Sequence, residues 1–111
     1  MGEKGARLTD QANKSCMHIV QSLSDLENIS SRKMFGGFGI FKDKTMFGLV
    51  TSDGTAFFKA DESTIQKYEA AGSDKHGRMS YYKIPDKISQ DQSKLLEWAS
   101  EAISIAEAGK K

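Results

Sequence analysis

Apolar residues in the first third of the chain recur at spacings of three and four. Ala12, Cys16, Ile19, Val20, Leu23 and Leu26 would share one face of a helix, because a turn takes 3.6 residues. Thr9 or Asp10 can cap its start, where a side-chain oxygen satisfies a free N–H of the first turn. Asn28 stands where the helix must end, and Asn tolerates the left-handed conformation of such a stop. The pattern then changes. Residues 38–41 and 46–50 are aromatic and aliphatic runs around the polar turn Lys42-Asp43-Lys44-Thr45, which predicts a hairpin. Ser52-Asp53-Gly54 predicts a second turn and residues 55–59 a third strand. Gly36-Gly37, ahead of these strands, predicts a bulge or a close approach of another element.

Asp61 can cap a second helix over residues 62–71, stopped by Gly72. After a polar loop at 73–77, residues 79–84 predict a further strand, closed by Pro85, which has no N–H to give a ladder. Asp91 caps a last helix whose stripe is Leu95, Trp98, Ala99, Ala102 and Ala106, with Ile103 beside it. Gly109 ends it, and Lys110-Lys111 form a basic tail at the negative end of the helix dipole. The order α-β-β-β-α-β-α implies helices packed on an antiparallel sheet, an α+β domain.

A chain of 111 residues suits a single domain, 1–111, with residues 1–7 as a flexible lead-in. A net charge of +1 offers no global attraction for nucleic acid or acidic substrates. One cysteine excludes an internal disulfide, which fits a reducing compartment. No apolar run nears the ~20 residues that span a bilayer. The N-terminus has no secretory apolar core, and Ala6 breaks the myristoylation pattern. A cytoplasmic protein without membrane contact is expected.

Candidate chemistry is sparse. Gly36-Gly37-Phe38-Gly39 runs into a strand rather than a helix N-terminus, so a backbone role is favoured over a phosphate cradle. Cys16 falls in the apolar stripe of its helix, and His18, two residues on, points elsewhere, so no activated thiol is expected. His76 is distant in a loop, and no metal-ligand spacing appears. Asp61-Glu62 reads as a cap rather than a catalytic pair. Tyr81-Tyr82 with Phe35, Phe38 and Phe41 could stack bases, but neighbouring strand residues face opposite ways, and core packing is favoured. Arg32-Lys33 and the turn residues Lys42 and Lys44 could touch phosphates, though charges also guard sheet edges against aggregation.

The strings RKMFGGFGIFKDKTMFGLV (32–50), FFKAD (57–61), YEAAGS (68–73), MSYYKIP (79–85) and LLEWASEA (95–102) together resemble the N-terminal domain of the TfoX/Sxy family, bacterial regulators of competence for DNA transformation. The likeness runs over about residues 7–106. It implies a fold like that of the secretion chaperones. It also implies transcriptional co-regulation with a cyclic-AMP receptor type activator as protein partner. It implies no catalytic residue, cofactor or metal. The two-domain regulators carry a second, helical domain, so the chain is expected to be the N-terminal domain standing alone. Its loop at 74–78 is shorter than is common in the family. The expected function is a non-enzymatic interaction module, with Arg32, Lys33, Lys42 and Lys44 as partner-binding candidates. The alternative is direct nucleic-acid binding by the same basic sheet edge. A small enzyme assembled only in a dimer ranks last, for want of a nucleophile–base pair.

Overall fold

A computed structural model describes residues 2–34, 37–75 and 80–109, with the backbone alone for 2–10. Phe35, Gly36, His76, Met79 and the Lys110-Lys111 tail lie outside the described residues. The elements are α1 (Gly2–Ser22), β1 (Ile29–Met34), β2 (Gly37–Lys42), β3 (Thr45–Val50), β4 (Ala56–Lys59), α2 (Ile65–Ala70), β5 (Tyr81–Lys83), α3 (Asp86–Ser89) and α4 (Gln92–Ala108). The five strands form one antiparallel sheet in sequence order. The α+β architecture expected from the pattern is the one observed, with one more strand and one more short helix than foreseen.

Cross-strand partners share a face of the sheet, so the register sorts the side chains. One row runs Ser31, Ile40, Gly48, Phe58, Tyr82. This side carries the helices and the core, in which Ala12, Cys16 and Ile19 of α1, Leu23 just past its end, and Leu95, Ala99, Ala102 and Ala106 of α4 are buried. Tyr68 of α2 closes one end, its ring 5.8 Å from that of Tyr82 and 4.7 Å, edge-on, from Trp98. The predicted stripes of the first and last helices are therefore their core faces. Between Ile40 and Phe41 the register shifts: Ile40 pairs with Gly48 but Phe41 with Met46, leaving Phe47 as an extra residue. That bulge re-aims Phe47 into the core, 5.9 Å from the Phe58 ring.

Several boundaries differ from the pattern reading. Helix α1 begins at Gly2, so Thr9 and Asp10 lie inside it rather than at its cap, and the expected lead-in is helical in backbone. Its Glu, Lys, Ala, Arg and Leu are good helix formers, which offset the poor helix propensity of the two glycines. Asn28 does take positive φ (64°), but beyond the helix end, at the entrance to β1. Strand β1 was unforeseen because its residues, ISSRKM, are mostly exposed on both faces. An edge strand is held by its ladder and needs no apolar alternation. The bulge falls at Phe47, while Gly37 serves close approach: a Cβ there would lie 1.9 Å from the Val50 carbonyl oxygen.

Asp61 does not cap α2, which begins only at Ile65. Its carboxylate accepts from the Ser63 N–H and hydroxyl, ordering the turn that precedes the helix. Gly72 (φ 77°) ends α2 as expected, its N–H donating to the Glu69 carbonyl. Asp91 caps α4, accepting from the Lys94 N–H at 3.2 Å. No helix of the described residues is long and apolar enough to cross a membrane.

Candidate interaction surface

The four basic candidates do not gather. Arg32 and Lys33 are neighbours on β1 and so face opposite sides: Arg32 pairs with Gly39, Lys33 with Phe38 on the helix side. Lys42 is half-buried, and its Nζ donates to the Glu27 carbonyl at 2.6 Å, tying the hairpin to the loop before β1. Only Arg32 and Lys44 meet, lining a shallow cavity of ≈ 370 Å³ with Ser30, Ser31, Phe41 and Asp43. The Asp43 carboxylate offsets Lys44 there. The Arg32 guanidinium sits 5.4 Å from the centre of the Phe41 ring, a cation–π arrangement.

The side of the sheet opposite the helices is more informative. Its central row is Arg32, Gly39, Leu49, Phe57, Lys83, one residue from each strand. Apolar side chains fill the middle and a cation stands at each end. The neighbouring positions are Phe41 and Met46, then Lys59 opposite Tyr81. Gly39 leaves a hollow into which two methionines lean: a Cβ at that position would lie 2.5 Å from the Met34 sulfur and 2.9 Å from the Met46 sulfur. Met34 and Met46, far apart in the sequence, thus meet at one spot on the outer face. Met34, Phe41, Met46 and Leu49 are all part-exposed.

The aromatic rings on this face are not free platforms. Phe57 is 8% exposed and Tyr81 4%. The Lys59 ammonium lies 5.3 Å from the Tyr81 ring centre, and the Tyr81 hydroxyl donates to the Met46 carbonyl at 3.4 Å. Burial pushes the Tyr81 phenol up to about 12. Tyr82 is buried on the helix side, so the two tyrosines separate as alternation requires. Lys59 and Lys83 escaped the sequence reading. Their signal was there in period two: Phe57 with Lys59, and Tyr81 with Lys83, each pair i and i+2 on one face.

Other chemistry is structural. The Cys16 thiol is buried and its pKa is raised by that burial, with a bond to the Ser31 side chain offsetting part of the shift. His18 bonds through Nε2 to the Ser89 carbonyl at 2.8 Å, joining α1 to α3. Ser15 Oγ donates to the Gly54 carbonyl, holding the turn where Gly54 takes φ 88°. Among the described residues no three His, Cys, Asp or Glu side chains are grouped to hold a metal ion.

A five-stranded antiparallel sheet with its helices on one face and an apolar, cation-rimmed face on the other defines an open-faced α+β domain. The TfoX N-terminal domain family matches residues 21–106, and the chain belongs to that family. No curated protein matches it significantly in sequence.

Proposed function

We propose that this domain is a non-enzymatic protein-interaction module of the competence-regulator type, which engages its partner through the sheet rather than the helices. The observation that carries this reading is the outer face: its part-exposed apolar centre lies between cations and, among the described residues, carries no helix. Membership in the TfoX N-terminal family supports a regulatory role related to competence. The partner this implies is a transcription activator of the cyclic-AMP receptor type, met in the cytoplasm.

The nucleic-acid alternative draws support from one observation, the pairing of Arg32 with Lys44 around the cavity between β1 and the hairpin tip. Against it stand the Asp43 carboxylate in the same cavity and the burial of Phe57 and Tyr81, which withdraws two rings from stacking. The test is a pull-down of the tagged chain from native lysate, with and without nuclease, followed by direct titration of the purified activator. Retention of the activator after nuclease supports the protein-partner reading. Retention that nuclease abolishes, with affinity falling steeply in salt, points to nucleic acid. Failure of the purified activator to bind rejects the co-regulator assignment.

A further inference from the structure

Resting on the reading of this domain as a protein-interaction module, we infer that the outer sheet face receives an acidic, apolar segment of its partner. Such a segment seats apolar side chains on Met34, Phe41, Met46 and Leu49 and sets carboxylates against Arg32, Lys59 and Lys83. Three features of the surface define that chemistry.

The first is charge. The chain as a whole is nearly balanced, at +1. Yet the strand positions of this face carry three cations, Arg32, Lys59 and Lys83, and no carboxylate; the neighbouring acids, Asp43 beside Arg32 and Asp86 beside Lys83, lie off the strands in a turn and in α3. Single-sign patches select partners of the opposite sign and speed their encounter. A second copy of the chain would bring the same cations face to face, so self-association through this face is opposed.

The second is the seat. Gly39 has no side chain, and the Met34 and Met46 sulfurs converge over it beside the Phe41 ring. Methionine side chains are flexible and polarisable, which suits a surface that moulds to an inserted apolar group. Arg32 and Lys59 each rest on a ring, Phe41 and Tyr81. Their stems widen the apolar floor while their charged heads form its rim.

The third is spacing. Arg32 and Lys83 close the two ends of one cross-strand row over five strands. With about 4.8 Å between strands, the two positions are about 19 Å apart. An extended segment covers that in about six residues. The favoured ligand therefore has two acidic groups about six residues apart with apolar residues between them.

The experiment pans a random 12-residue peptide library on the whole chain and measures the best synthetic peptide by fluorescence anisotropy. Selected peptides should pair Asp or Glu with intervening Leu, Ile, Phe or Met. Affinity should fall about tenfold or more in an Arg32→Glu/Lys83→Glu double variant. It should fall likewise in Met34→Ser/Met46→Ser, with circular dichroism unchanged in both. Lys14→Glu and Lys94→Glu, on the helix side, should bind as the parent does. The inference is overturned by an empty selection, by peptides with no acidic bias, or by binding indifferent to the outer-face variants. It is overturned too if a deoxythymidine 12-mer binds this face more tightly than the peptide. Acidic peptides on this face with no activator binding would leave the inference standing and reject the co-regulator reading. Activator binding that ignores the outer-face variants would do the reverse.

Discussion

Gly37 and Gly39 are two residues apart on one strand, and the physics of each is different. A methyl group at Gly37 would meet the Val50 carbonyl, backbone that cannot step aside. Gly37→Ala should therefore destabilise by about 3 kcal/mol, at the upper end of overpacking costs, read by urea denaturation. At Gly39 the obstruction is the ends of two flexible methionines. Gly39→Ala should leave stability within about 1 kcal/mol and weaken peptide binding, because the methyl displaces the two sulfurs that form the seat. Trp98 illustrates a different point. It packs edge-on against Tyr68 and is covered by Lys67, whose Nζ lies 4.2 Å from the ring centre and also pairs with Glu101. The ring is half-buried, so Trp98→Ala should cost ~2–3 kcal/mol, less than a fully buried tryptophan. A loss below ~1 kcal/mol would show that this contact does not anchor α4.

The elements whose faces meet the core were the legible ones. Helix α4 was marked at both ends and along its stripe: Asp91 as cap, Leu95, Ala99, Ala102 and Ala106 as the buried face. Asp91→Ala should cost about 1 kcal/mol by thermal or urea unfolding, the usual worth of such a cap. The hairpin of β2 and β3 was equally plain, with Asp43 at φ 57° in its turn. Strand β1 was hidden for the opposite reason. Its exposed Ser30, Ser31, Arg32 and Lys33 answer to the β2 ladder and not to a core. Helix α3, Asp86–Ser89, is too short to show a period, and its position is set by contacts such as His18 with Ser89. The Asp61 turn misled because a carboxylate before a helix serves equally as a cap or as the anchor of a turn.

Two buried phenols give the whole molecule an alkaline limit. Burial raises both Tyr68 and Tyr81 above the usual value of 10, Tyr81 to about 12 and Tyr68 further, the latter also through the Glu101 carboxylate. The unfolded chain ionises these groups near 10 while the fold keeps them protonated. Their contribution is complete below that pH; the Tyr81 part is lost as pH rises through about 12, and the Tyr68 part persists to higher pH. Urea midpoints should fall between pH 9 and about 11, and Tyr81→Phe should flatten that fall. Unchanged slopes in the Tyr81→Phe variant would remove Tyr81 from the account. The division of the molecule into a helix-covered side and a cation-rimmed side is likewise a property of the assembly. Residue order carried the element types, the α+β class, the family and the core stripes, because periodicity and capping are local and appear within a few residues of chain. Which basic residues act together was not local. Arg32 and Lys33 are adjacent yet on opposite faces, whereas Arg32 and Lys83, far apart in the chain, close the ends of one row. Strand register creates that row, and register follows from the bulge at Phe47 and from the burial of one face, which no single segment contains.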